Sequence, residues 1–348
     1  MADTFKVGLT RDFLRPDGSI GFGDIGLSAL DGVPGLKWEF IVSDSPEITP
    51  EAAAGYDALV VRSPRVTRTP LTGASRLALV SRFGIGYDSA DVQACTDNCV
   101  ALSLTPGAGK RPMAMVALML ILATSHRLLA KDRIAREGRW GDRLDYMGVG
   151  LTERTLGIVG LGNIGRELAR LVAPLEMRLL AADPYADKDQ ARPVGVEMGS
   201  LHDMLPRCDF VAITAALSDE TRRLIGEREP ALIKPSAFLI NVARGPIADQ
   251  RALTTALSSG RLQGAGLDVF EKEPTDKDDP ILKLDNFVLG THALGWTDEA
   301  FKRVGKMAFG AVLDLAAGRF PETVLNKEVA DHPRFQARLA EYARKAKR

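Results

Sequence analysis

The sequence has few cysteines: Cys95, Cys99 and Cys208 are the only three in 348 residues, and their spacing fits neither a disulfide framework nor a zinc ribbon. They read as reduced thiols, mostly in the core, and no metal site is expected. An excess of one charge is also missing, since 45 Lys and Arg offset 45 Asp and Glu. Nucleic acids and anionic membranes attract clustered positive charge, so neither is an expected partner. No apolar run approaches the roughly 20 residues of a membrane span. The longest, Met113 to Ala123, follows Pro112 and reads as a buried core helix. The first residues lack a basic segment followed by an apolar one, the pattern of a secretory signal, which points to the cytoplasm.

What is present is ordinary globular composition, 45% hydrophobic and 26% charged, in a chain long enough for two domains. Short apolar runs end in Gly, Pro, Ser or Asp and alternate with helix-compatible stretches, as parallel strands joined by crossover helices do. The expected class is α/β: two Rossmann-like or flavodoxin-like domains with doubly wound parallel sheets and a cleft between them. Strands are expected at Lys6–Leu9, Lys37–Val42, Ala58–Val61, Ala78–Arg82 and Val100–Leu104. A second set of six follows at Thr155–Val159, Arg178–Ala182, Phe210–Thr214, Phe238–Val242, Gly264–Asp268 and Phe287–Leu289. Asp298 is the expected N-cap of a late helix over Glu299–Ala317 that packs back on the first domain. Residues 331–348 carry six Lys and Arg against Asp331 and Glu341 and read as a solvated, basic helical tail.

Gly160-Leu161-Gly162-Asn163-Ile164-Gly165 stands directly after the strand Thr155–Val159 and opens a helix. This is the dinucleotide fingerprint in its required context. Gly160 permits the turn, Gly162 lets backbone approach a pyrophosphate, Gly165 lets helix and strand pack, and the free amides of a helix start attract phosphate. Asp183 ends the next strand, where a carboxylate accepts from ribose hydroxyls and repels a 2′-phosphate. NAD is therefore the expected cofactor.

Three polar residues follow strands at the end where open α/β sheets bind ligands: Arg244, Glu273 and His292. A guanidinium at 244 could hold a carboxylate and polarise a keto oxygen, and Gly245 beside it leaves space for a ligand. Histidine suits proton transfer near neutral pH, and Glu273 could orient its imidazole. Pro246, beside Arg244, and Thr214, after a central strand, could line the nicotinamide half of the site or simply pack, and Asn163, Ile164, Ala243, Arg244, Asp268 and His292 are further expected cofactor contacts.

Several motifs recur in a known order: Arg82-Phe83-Gly84-Ile85-Gly86-Tyr87-Asp88, Thr105-Pro106-Gly107, the glycine loop, Asn241-Val242-Ala243-Arg244-Gly245, Asp268-Val269-Phe270 with Glu273-Pro274, and Thr291-His292-Ala293. In these, from about residue 56 to 325, the chain resembles the D-isomer-specific 2-hydroxyacid dehydrogenases. The resemblance implies hydride exchange between NAD(H) and a small 2-oxo or 2-hydroxy acid, with Arg244, Glu273 and His292 as the catalytic Arg, Glu and His. It implies a substrate domain made of residues 1–104 and 299–330, a cofactor domain over 105–298, hinges near 104 and 298, and a homodimer. Residues 127–150, with Trp140 and Tyr146, match the family's dimerisation arm. Gly84, Ile85 and Gly86 match the loop whose amides hold the substrate carboxylate, and Arg62 and Ser63 match another substrate-side position.

The chain departs from the family pattern within Lys110–Val116, where many relatives carry an acidic residue followed by histidine or leucine in place of Met115 and Val116. Met115 could be an apolar wall of the substrate pocket or ordinary core, and Lys110 and Arg111 could recognise a second anionic group or be solvated surface. Trp296 could cap an apolar substrate side chain or anchor a hinge. Glu273 disfavours formate dehydrogenase, which carries glutamine there. Phosphite dehydrogenase shares the Arg, Glu and His pattern and stays open, as does an NAD(H)-sensing corepressor of the same build.

Overall fold

The computed structural model describes residues 4–186 and 188–346 and divides into two compact units. One runs up to Gly109 and resumes at Trp296; the other is Lys110–Gly295.

The first unit holds five parallel strands, β1 (Phe5–Leu9), β2 (Leu36–Phe40), β3 (Ala58–Val61), β4 (Leu79–Arg82) and β5 (Ala101–Ser103), in the order β2-β1-β3-β4-β5. All four residues of β3 are buried, because helices cover both faces of the sheet. Alternation divides them, Ala58 and Val60 joining one apolar cluster and Leu59 and Val61 the other. The helix Asp298–Ala316 covers the first face with Ala308, Phe309, Val312 and Leu315, and Ser81 donates to the Ala308 carbonyl at 2.9 Å. Its N-cap is Thr297, whose hydroxyl accepts from the Ala300 amide at 3.1 Å, rather than Asp298 one residue on. Both residue types cap well, and only backbone geometry chooses between them.

The expected solvated tail is instead docked. In the helix Pro333–Lys345, Phe335 and Tyr342 are buried, and Tyr342 meets Phe5 edge-on at 5.0 Å and donates to Asp57 Oδ1 at 3.1 Å. Arg338 donates to the carbonyls of Leu77 at 2.7 Å and Cys99 at 3.2 Å, and also to that of Ser75. Phe335, Leu339 and Tyr342 stand at i, i+4 and i+7, one helical face, which a count of charges passes over. Lys347 and Arg348 lie outside the described residues.

The second unit holds seven parallel strands: β6 (Thr155–Val159), β7 (Arg178–Ala182), β8 (Val196–Met198), β9 (Phe210–Ile213), β10 (Phe238–Asn241), β11 (Gly264–Leu267) and β12 (Phe287–Leu289). Their order is β12-β11-β10-β9-β6-β7-β8. The sequence reading gave six; the seventh, β8, is a three-residue edge strand with Glu197 exposed, too short and polar to register as an apolar run. The order reverses at β6, which has β7 on one side and β9 on the other, and this switch point opens a crevice at the strands' carboxyl ends.

The helix Lys110–Ser125 packs on the helix Asn163–Val172 and is only partly a core helix. Val116, Leu120 and Ile121 are buried, but Met115, Met119 and Leu122 are exposed along another face. The run is apolar on every side, so the sequence does not show which side is covered. All three cysteines are free and buried, and burial pushes the thiols of Cys95 and Cys208 up to about 12. Among the described residues no single helix is long and apolar enough to cross a membrane, and no group of His, Cys, Asp and Glu could hold a metal ion.

If the tail helix is part of the fold, Arg338→Met should lower unfolding stability by roughly 1.5–3 kcal/mol, the scale of hydrogen bonds made by a charged donor. Urea denaturation reads this directly. No change would return the segment to solvent.

Candidate active site

The glycine loop leaves β6 at the switch point, and its glycines do different work. Gly160 has φ +90°, and a Cβ there would lie 2.5 Å from Ala215 Cα; one on Gly165 would lie 2.4 Å from the Gly160 carbonyl oxygen. These two are required by packing. At Gly162 a Cβ would meet nothing within 4 Å, so that space is open to a ligand, as a pyrophosphate cradle requires. Gly162 caps the helix Asn163–Val172, whose first residues Asn163 and Ile164 present the helix start. Asp183 holds the loop as well as facing it: Oδ2 accepts from the Leu161 amide at 2.8 Å and Oδ1 from the Tyr185 amide at 2.9 Å. Each oxygen keeps a second lone pair, which leaves two acceptor sites for ribose hydroxyls. Thr214 donates to the Gly160 carbonyl at 2.6 Å and fixes the far side of the turn.

Across β10, β11 and β12 the same ends carry the expected triad. Asn241, 1% exposed, accepts from the Ala243 amide at 3.0 Å and donates to the Arg244 carbonyl at 3.0 Å, clamping the loop that presents Arg244. The sequence reading missed this role, although an Asn at a strand end three residues before the arginine was visible in it. Arg244 Nη1 donates to the Ala243 carbonyl at 2.8 Å. Gly245 does not leave room for a ligand as expected: a Cβ there would lie 1.9 Å from the Phe270 carbonyl carbon, so the space is filled by the neighbouring loop.

Asp268 follows β11 and is 1% exposed. Its Oδ1 accepts from the amides of Ala293 at 3.2 Å and Leu294 at 3.3 Å, while its carbonyl accepts from the His292 amide at 2.7 Å. The turn after β12 thus wraps around one carboxylate, and His292 adopts a left-handed φ of +56°. Burial raises the Asp268 pKa, against the opposing pull of those amides and of His292. Glu273 Oε1 accepts from the Phe270 amide at 2.9 Å, and Oε2 lies 2.7 Å from His292 Nδ1. Burial disfavours its ionised form, but the His292 contact, the Phe270 amide and the Arg244 charge outweigh it and hold the carboxyl below its usual range. With Nδ1 engaged, Nε2 is the imidazole nitrogen left for chemistry.

The first unit has its own cluster. Asp12 follows β1 and Arg62 follows β3, on either side of the reversal in that sheet's strand order. Arg62 Nη1 donates to Asp12 Oδ2 at 3.0 Å and Ser63 Oγ at 2.9 Å. Its guanidinium carbon lies 4.5 Å from the centre of the Phe22 ring and 4.8 Å from that of Trp296. Trp296 also meets Phe301, so its place is an aromatic cluster around a cation. Asp12, Phe22 and Phe301 were not singled out by the sequence, because their roles depend on where the strands end. In the turn after β4, Gly84 donates to the Arg82 carbonyl at 2.9 Å, whereas the amides of Ile85 and Gly86 have no acceptor among the described residues.

A glycine loop at a sheet's switch point, an acid closing the next strand and an Arg, Glu and His set at neighbouring strand ends define an NAD-dependent dehydrogenase. Residues 118–293, about half the chain, match the family model described as D-isomer specific 2-hydroxyacid dehydrogenase, NAD binding domain. The glyoxylate reductase of Korarchaeum cryptofilum is 35% identical over 84% of this chain and 89% of its own length. A D-3-phosphoglycerate dehydrogenase of Archaeoglobus fulgidus is 34% identical over 82% of this chain, which spans only 54% of that longer protein. The crystal structure of a glyoxylate reductase from Paecilomyes thermophila superposes with a TM-score of 0.78 at 25% identity, covering 93% of this chain and 99% of that one. The chain belongs to the D-isomer-specific 2-hydroxyacid dehydrogenase family. These relatives favour neither a corepressor-like sensor nor a phosphite dehydrogenase.

The two kinds of glycine separate by experiment. Gly162→Ala should keep the parent melting temperature yet weaken NADH binding by roughly tenfold or more, because its Cβ fills ligand space. Gly165→Ala should lose about 1–3 kcal/mol of stability as an overpacked site does. Equal effects on both properties in the two variants would contradict the division.

Proposed function

We propose that the protein reduces a small 2-oxo acid to the D-2-hydroxy acid, with His292 as the proton donor. The observation that carries this reading is the 2.7 Å contact between Glu273 Oε2 and His292 Nδ1, which fixes the imidazole and leaves Nε2 to the substrate. NADH, when bound, supplies the hydride that adds to the substrate C2. The protein's own groups do the rest: Nε2 gives its proton to the keto oxygen, Glu273 stabilises the imidazolium before that transfer, and Arg244 binds the carboxylate and the charge growing on oxygen. The unpaired amides of Ile85 and Gly86 suit a carboxylate, and Arg62 and Ser63 are assigned to the substrate side chain. Oxidation of the hydroxy acid runs the same steps backwards, with neutral His292 as base.

The relatives named glyoxylate reductase suggest glyoxylate and hydroxypyruvate as the first substrates to try. Asp183 supports NADH over NADPH, since a 2′-phosphate would meet its carboxylate. His292→Ala should lose roughly 10²–10⁴ in turnover while retaining NADH binding. Steady-state kinetics on glyoxylate, hydroxypyruvate, pyruvate and 3-phosphohydroxypyruvate with each reduced cofactor test the whole assignment. Full activity in the variant would remove His292 from the reaction.

A homodimer belongs to the same reading. Met115, Met119, Leu122, Leu128, Trp140 and Leu144 are all exposed within one stretch of the second unit, an apolar surface suited to a second copy. Trp140→Asp should reduce the mass seen by light scattering from two chains to one; an unchanged mass would count against this surface.

A further inference from the structure

A side-chain contact joins the loop after β7 to the loop after β9. Tyr185, two residues beyond Asp183, donates its hydroxyl to Glu220 Oε2 at 2.5 Å. Strand order decides what this contact crosses. β7 and β9 are the two neighbours of β6, and the glycine loop lies at the end of β6, so the bond spans the mouth of that loop. The Tyr185 ring is not part of the core: the residue is 79% exposed. Its backbone is fixed by the same carboxylate that faces the ribose position, through the Tyr185 amide and Asp183 Oδ1. Glu220, by hydrogen bond and charge, pushes the phenol above its usual pKa.

We propose that Tyr185, tethered by Glu220, is the platform on which the adenine of the dinucleotide stacks and the latch that retains it. The inference rests on the glycine loop holding the pyrophosphate. An exposed aromatic ring is otherwise free to rotate into solvent; the tether limits that freedom before the ligand arrives and reduces the ordering cost of binding. An aromatic face suits a purine because stacking needs no particular hydrogen-bond pattern.

The test compares Tyr185→Ala, Tyr185→Phe, Glu220→Ala and the Phe/Ala double variant in binding, not turnover. NADH affinity is read by fluorescence, AMP affinity by calorimetry, and reduced nicotinamide mononucleotide serves as the ligand without adenosine. Tyr185→Ala should weaken NADH and AMP by roughly tenfold, within the range for loss of one aromatic base platform. Tyr185→Phe and Glu220→Ala should each weaken them a few-fold, with no further loss when combined, and the mononucleotide should bind all variants alike. If Tyr185→Ala binds NADH as the parent does, or loses the mononucleotide equally, the inference is overturned and the glycine-loop reading survives. If the parent itself binds neither NADH nor AMP, both fall.

Discussion

The buried carboxylate of Asp268 is the point on which the loops carrying Glu273 and His292 depend. One of its oxygens receives two amides of the turn after β12, and its backbone carbonyl receives a third, from His292 itself. Left-handed backbone at a non-glycine residue costs on the order of 1–2 kcal/mol, and here three hydrogen bonds hold the turn that requires it. Gly290 completes the arrangement, since a Cβ on it would lie 2.2 Å from Asp268 Oδ1. The turn aims the imidazole, and Glu273 then has only to meet it. A histidine on an exposed loop is in this way fixed by groups beneath it, on rigid strand ends.

The same economy of backbone appears at the other half of the crevice. Gly160, Gly165, Gly245 and Gly290 are glycines because neighbouring atoms already occupy the space of a Cβ, whereas a Cβ on Gly162 would meet nothing within 4 Å. Asp183 and Thr214 grip the two sides of the loop with bonds to Leu161 and Gly160. The shape of the loop is therefore set by side chains on both of its flanks.

Much of this was legible in the sequence, for a physical reason. The glycine loop and Asp183 directly follow strands, Arg244 and His292 come a few residues after theirs and Glu273 lies on the loop after β11, and a doubly wound sheet gathers strand ends on one edge whatever the details of packing. Features that depend on one surface meeting another were not legible. Gly245 was given to a ligand and is filled by the Phe270 backbone; the helix Lys110–Ser125 was given wholly to the core and leaves a methionine face uncovered; the last helix was given to solvent and is docked through Phe335, Arg338 and Tyr342. β8 escaped because an edge strand of three residues needs little apolar sequence. Asp12 acts through Arg62, fifty residues away and brought near by folding, and its neighbours in the chain give no sign of it, whereas Asn241 clamps a loop only two and three residues on.

The most direct measurement is a crystal structure of the protein with NADH and oxamate, an unreactive likeness of a 2-oxo acid. The account expects His292 Nε2 at about 3 Å from the oxamate amide oxygen, which stands for the keto oxygen, Nδ1 still on Glu273, and the Arg244 guanidinium on the carboxylate. Oxamate bound away from all three, or an imidazole turned off Glu273 with the Asp268 turn undone, would contradict it.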